Sequence, residues 1–214
     1  AMRWLWRDYP KPVTVVQGQK RRTDLLIPGE DWRLVGEGYK YAEGPAVNAD
    51  GEVFFSDVPN SRIYRIGLNG KVSLFADNTQ RANGLMFSAN GKLYACQSGA
   101  ERIVCFDKQG KSETVVEDVT SNDIVMLPQG GYFTDPLNNQ VWHFTLDGEK
   151  KVVAKDIEFP NGLHTSIDHA FLLVNDSRGR FNFSFQVQPD ASLVNRQLYG
   201  HLHRGDADKD CWAD

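Results

Sequence analysis

Apolar residues in this chain gather in runs of about five positions bounded by polar turn formers, and nowhere do they recur at the three- and four-residue spacing of an amphipathic helix. The stretch NGLMFSANGKLYACQ (83–97) shows the pattern. One Asn-Gly pair opens it at 83–84, an apolar run follows, a second Asn-Gly at 90–91 turns the chain, and a second apolar run ends at Gln97. An Asn-Gly between two such runs is a hairpin signal, because both residues tolerate the left-handed backbone that a tight turn requires.

The unit repeats. EGPAVNADGEVFFSD (43–57), NGLMFSANGKLYACQ (83–97), NDIVMLPQGGYFTDP (122–136) and NGLHTSIDHAFLLVND (161–176) fall into register, with starts spaced by 40, 39 and 39 residues. Further hairpins follow the first three at SRIYRIGLNGKVSLFA (61–76), ERIVCFDKQGKSETVV (101–116) and NQVWHFTLDGEKKVVA (139–154), turning at Asn69-Gly70, Gln109-Gly110 and Asp147-Gly148. Four short antiparallel strands per unit, repeated at a constant period, predict an all-β fold built of β-propeller blades. A β-sandwich also shows many short strands, but it does not demand this in-phase self-similarity. Residues 1–30 read as an irregular N-terminal segment and 31–214 as the propeller domain, with DWRLVGEG (31–38) expected as a strand that closes the ring on a blade remote in sequence.

Composition narrows the function classes. The chain has 214 residues, 41% hydrophobic and 24% charged, as an ordinary globular protein does. A net charge of −4 argues against a nucleic-acid partner. No apolar run approaches the roughly 20 residues of a membrane-spanning helix. The N-terminus AMRWLWRDYP lacks the apolar stretch of a signal peptide, though Ala1-Met2 is consistent with a processed or engineered end, so the compartment stays open. Cys96, Cys105 and Cys211 show no CxxC spacing and read as packed free thiols.

The first position of each unit is Glu43, Asn83, Asn122 or Asn161. In a propeller the innermost strands surround a central channel, and their first residues gather at one mouth of it. A carboxylate with several amide oxygens is a donor set for a hard cation, above all Ca²⁺, which takes roughly 6–8 oxygens. Turn chemistry alone is the competing reading, since Asn-Gly and Asn-Asp favour sharp strand starts. Elsewhere His164 could reach the channel wall as a substrate contact, and Asp176 and Ser177 suit hydrogen bonds at the rim. His201 and His203, with Asp206, Asp208 and Asp210, read as a charged, solvated loop.

Glu43-Gly44-Pro45, NADGEVFFSD, Ser121-Asn122-Asp123 with GGYFTDP, Pro160-Asn161-Gly162-Leu163 and LLVNDS (172–177) together resemble the SMP-30/gluconolactonase family of regucalcin-like propellers. The resemblance spans residues 33–214. It implies six blades of four antiparallel strands, of which about two are absent from this chain, a fifth blade being cut at residue 214. About 80 to 90 residues are then missing at this repeat length, to be supplied by a continuation of the chain or a companion polypeptide.

The resemblance also implies one divalent cation, Ca²⁺ or alternatively Zn²⁺, Mg²⁺ or Mn²⁺, held by Glu43, Asn122, Asn161 and Asp214. Hydrolysis of a sugar lactone or related ester is the implied activity, with the cation polarising the carbonyl and Asp214 as the catalytic base. Asn83 would line the substrate pocket with His164 and Thr120. Thr120 stands where sugar-lactonase members carry an Arg, so a gluconate-like preference is not implied. A non-catalytic scaffold holding a structural cation is the alternative from another class.

Overall fold

The computed structural model describes residues 33–201, and these form an all-β structure of four four-stranded antiparallel sheets. A boundary between compact units falls between Leu34 and Val35, and the sheets belong to the second unit. Blade one comprises β1 (Ala42–Val47), β2 (Val53–Asp57), β3 (Arg62–Ile66) and β4 (Val72–Ala76). Blade two comprises β5 (Ala82–Phe87), β6 (Leu93–Gln97), β7 (Arg102–Phe106) and β8 (Ser112–Val116). Blade three comprises β9 (Ile124–Leu127), β10 (Gly130–Asp135), β11 (Gln140–Thr145) and β12 (Lys150–Lys155). Blade four comprises β13 (Pro160–Thr165), β14 (Phe171–Asp176), β15 (Phe181–Val187) and β16 (Leu193–His201). In every blade the strands pair in chain order, and the first strand of each blade packs against the first of the next, β1 on β5, β5 on β9 and β9 on β13. No helix of the described residues is long and apolar enough to cross a membrane.

The hairpins form for the chemical reason the sequence offers. Oδ1 of Asn48 accepts from the amides of Asp50 and Glu52 at 3.0 and 2.8 Å. Asn69 and Asn90 do the same for Lys71 and Lys92, and Asp107, Asp168 and Asp190 repeat the bond in later turns. Each side chain imitates the backbone bond of a turn and so fixes the register of the strands beside it.

Strand alternation sends successive side chains to opposite faces, and in blades two and three both faces of the second strand are buried because each of these blades has a neighbour on either side. Leu93 and Ala95 of β6 join Phe54, Ile63 and Phe106 in the core between blades one and two. Tyr94 and Cys96 of the same strand point the other way, into a core with Ile103, Phe133 and Phe144. A third core, between blades three and four, holds Val125, Tyr132, Leu172, Val174 and Phe185. Cys96 and Cys105 are buried free thiols, as expected, and the β6–β7 register sets them opposite Ile103 and Tyr94 rather than each other.

Of the strand expected at 31–38, the described part, residues 33–38, forms no strand. Two glycines weaken that segment, and Gly38 adopts φ 88°, outside the extended region. The chain packs instead through Tyr39, whose ring meets Phe55 and Tyr64 at 4.9 and 5.0 Å.

A second repeated device closes each blade on the channel-mouth side. β2, β6, β10 and β14 end on a buried acceptor, Asp57, Gln97, Asp135 and Asp176. Asp57 accepts from the amides of Lys40 and Tyr41 and from Asn60 Nδ2. Asp135 accepts from Thr120, Asn138 and the Trp142 indole, and Asp176 from the amides of Glu158, Phe159 and Gly179. The three carboxylates hold the loops that lead into the first strands of blades one, three and four, whereas Gln97 accepts from Arg102 Nε within its own blade.

Candidate active site

Close approach of neighbouring blades explains the glycine at position two. Gly44 has φ 56°, and a Cβ on it would lie 2.4 Å from the Asn83 carbonyl oxygen. A Cβ on Gly84 would lie 2.8 Å from the Asn122 carbonyl oxygen, which accepts the Gly84 amide at 2.8 Å. Ser56 Oγ donates both to the Glu43 carbonyl in its own blade and to the Asn83 carbonyl in the next, at 3.0 and 2.8 Å. Blade three departs from the pattern: Asp123 stands at position two, and β9 begins only at Ile124, although Asn122 and Asp123 still pair through backbone bonds with Thr134.

The register breaks at the same point of the inner hairpin in three blades, between Glu43 and Ala46, Ala82 and Leu85, and Pro160 and Leu163. Such a bulge bends the strand and re-aims a side chain. Its outcome is a cavity of about 210 Å³ lined by Glu43, Asn83, Asn122 and Asn161 with Tyr41, Phe159, Ser177 and Arg178. All four first-position residues are therefore brought to one place.

Their amides form a chain around it. Asn83 Nδ2 donates to Asn122 Oδ1 at 2.5 Å, and Asn122 Nδ2 donates to Asn161 Oδ1. Oδ1 of Asn83 is buried and has no hydrogen-bond partner. A buried carbonyl oxygen without a partner is costly, a cost that a cation or a donor group in the cavity would relieve. Glu43 is the one carboxylate among the described residues lining it. Among the described residues no three His, Cys, Asp or Glu side chains form a metal-binding group, so any cation here would be held largely by amide oxygens, a donor set suited to a hard ion.

Other expected site residues fall elsewhere. Thr120 donates to Asp135 Oδ1 at 2.5 Å and accepts from Asn138, so it belongs to the loop anchor and does not line this cavity. His164 is exposed and lines a separate, larger cavity of about 650 Å³ along the inner strands, with Met86, Ile124 and Leu163. Asp176 makes rim hydrogen bonds of the expected kind, and the buried Ser177 lines the smaller cavity. His201 packs its ring against Phe181. Asp214, His203, Asp206, Asp208, Asp210 and Cys211 lie outside the described residues.

Tyr41, Phe159 and Arg178 escape a reading built on strand starts, because they come from loops. The Arg178 guanidinium sits 4.3 Å above the Phe159 ring, a cation–π contact that positions a cation-bearing side chain at the cavity. Its one sequence signal is its place directly after the Asp176-Ser177 strand end. Burial pushes the Cys96 thiol well above its usual range, which makes it a poor nucleophile.

Residues 41–213 match the family described as SMP-30/Gluconolactonase/LRE-like region. The chain is 25% identical to a gluconolactonase of Zymomonas mobilis subsp. mobilis, an alignment covering 72% of this chain and 53% of that protein. It thus spans about half the length of the curated relative it matches. Among solved structures it is similar to a gluconolactonase from Xanthomonas campestris, with a TM-score of 0.70 at 24% identity over 77% of this chain and 64% of that one. A virginiamycin B lyase from Staphylococcus aureus shares the fold with a TM-score of 0.61 at 17% identity, over 73% of this chain and 55% of that one. The four blades, the repeated strand starts and the match over 41–213 lead to one conclusion: the chain belongs to the SMP-30/gluconolactonase/LRE-like family.

Proposed function

We propose that the protein hydrolyses a lactone of the sugar-lactone kind, or a related ester, at the cavity formed by Glu43, Asn83, Asn122 and Asn161, with the help of one divalent cation, Ca²⁺ by preference. The observation that carries this reading is the convergence of one carboxylate and three amides on one cavity, with Asn83 Oδ1 buried and unpartnered. The gluconolactonase named among its relatives supports the substrate class.

When bound, the cation would supply Lewis acidity that draws electron density from the substrate carbonyl. Glu43 would supply the negative charge that holds it, and Asn122 and Asn161 the neutral oxygens. Asn83, already donating to Asn122, would orient that neighbour and offer its own Oδ1 to cation or substrate. Arg178 and Ser177 would pair with substrate oxygens, and the Phe159 and Tyr41 rings would flank the substrate's carbon face. A guanidinium is thus available at this mouth although Thr120 occupies the place of the family's Arg. Proton removal from the attacking water falls to Asp214, through the resemblance alone.

Glucono-1,5-lactone hydrolysis by the purified protein tests this directly. Activity should be abolished by a chelator, restored by Ca²⁺, and reduced at least about a hundredfold by Glu43→Gln. Hydrolysis that persists in chelator and in the variant contradicts the reading.

A further inference from the structure

Two positions after the buried acceptor that ends the second strand, blades one, two and three carry Pro59, Gly99 and Leu137, whereas blade four carries Arg178. The turn therefore has no structural need of an arginine. Arg178 is also the one cationic side chain among the described residues that line the cavity of Glu43 and the three asparagines.

Its place is fixed from both sides. Asp176 accepts from the amides of Phe159 and Gly179 at 3.0 and 2.9 Å, and the Ser177 amide donates to the Phe159 carbonyl at 3.0 Å. A Cβ on Gly179 would lie 2.4 Å from Asp176 Oδ2, so the chain turns closely about that carboxylate. This turn sets the Arg178 guanidinium 4.3 Å above the Phe159 ring. Stacking of this kind holds the planar group and leaves its N–H edge available. Among the described residues the guanidinium forms no hydrogen bond and no ion pair.

Within the cavity Glu43 and Arg178 carry opposite charges, and Asn83, Asn122 and Asn161 carry none. A bound divalent cation then leaves an excess of positive charge, which an anionic group on the guest offsets. The parallel N–H donors of a guanidinium match the two oxygens of a carboxylate. A phosphate gathers several cations or a helix N-terminus, and the described residues lining this cavity supply neither.

We infer that the substrate carries a carboxylate in addition to its lactone or ester group, and that Arg178 receives it. This rests on the reading of the cavity as hydrolytic, and it narrows the substrate class from sugar lactones in general to those that bear a second acid group. Arg178 is then the residue that sets specificity.

D-glucaro-1,4-lactone and D-glucono-1,4-lactone share a ring and differ at one end, where the first has a carboxylate and the second a hydroxymethyl group. Hydrolysis of each by the purified protein with Ca²⁺ should give a KM at least about tenfold lower for the acidic lactone. Arg178→Gln should bring the two KM values together through loss at the acidic lactone, and Arg178→Lys should recover part of the difference. Equal KM values in the wild type, or a preference that survives Arg178→Gln, would overturn the inference and leave the hydrolytic reading standing. If neither lactone is hydrolysed, the hydrolytic reading fails, and calorimetric titration of D-glucaro-1,4-lactone decides the carboxylate site. Binding that weakens about tenfold in Arg178→Gln upholds it. Absence of binding, or binding indifferent to the variant, overturns it.

Discussion

Asn83 and Asn122, 39 residues apart in sequence, meet across a blade boundary, with Asn83 Nδ2 donating to Asn122 Oδ1 at 2.5 Å and leaving its own Oδ1 buried without a partner. The repeat thus brings equivalent residues together as well as making the fold. Blades side by side place each first-position side chain next to that of the neighbouring blade, and the bulges turn these groups into a shared cavity.

The close approach at the mouth should be sensitive to a single methyl group. Gly84→Ala is expected to destabilise by about 1–3 kcal/mol, because the added carbon meets backbone atoms of Asn122 and Asp123 that cannot turn aside. Urea unfolding measures it. A midpoint equal to wild type would show that the blades can separate without cost.

Ser56→Ala removes the hydroxyl that bridges the Glu43 and Asn83 carbonyls. A loss of about 1–2 kcal/mol is expected from the partly buried acceptors left behind. The same urea experiment should show an unchanged slope with a lower midpoint, as for a loss confined to the folded state.

Asp135→Ala should cost more, about 3 kcal/mol or above, since it strips a buried acceptor from Thr120, Asn138 and Trp142 at once. Thermal unfolding followed by Trp fluorescence reads both the stability and the release of the indole. Retained stability would mean that water replaces the carboxylate without penalty.

His143 sets a pH dependence of known sign. Its folded-state pKa is lowered from 6.5 by burial, with Lys151 adding to the shift and Asp190 opposing it. Below about pH 6.5 the unfolded chain takes up this proton more readily than the folded one, so stability falls as the pH drops from 6.5 toward the lowered folded value. Above that window the residue contributes no slope. His143→Phe should flatten this part of the profile, as urea midpoints at pH 7.5 and 5.5 would show, and an unchanged slope would place the titration elsewhere.

Much of this was legible because the controlling interactions are local. Asn48, Asn69 and Asn90 each make a turn with amides two to four residues away, so a sequence window contains the whole cause. The gathering of Glu43, Asn83, Asn122 and Asn161 followed from periodicity, since equal spacing puts equal positions at one mouth. Arg178 and Phe159 were not legible, because their meeting depends on loops held by Asp176. Thr120 was misleading for a similar reason: two positions before Asn122, it turns to Asp135 instead of the cavity. The strand expected at 31–38 depended on a distant partner edge, which no local pattern encodes.

The central proposal is that Glu43, with Asn122 and Asn161, holds a divalent cation. Calorimetric titration of Ca²⁺ into the wild-type protein and Glu43→Gln tests it most directly. One bound ion per chain is predicted for the wild type, with affinity at least about tenfold weaker once the carboxylate is replaced. Absence of Ca²⁺ binding, or binding unaltered by Glu43→Gln, would contradict the account.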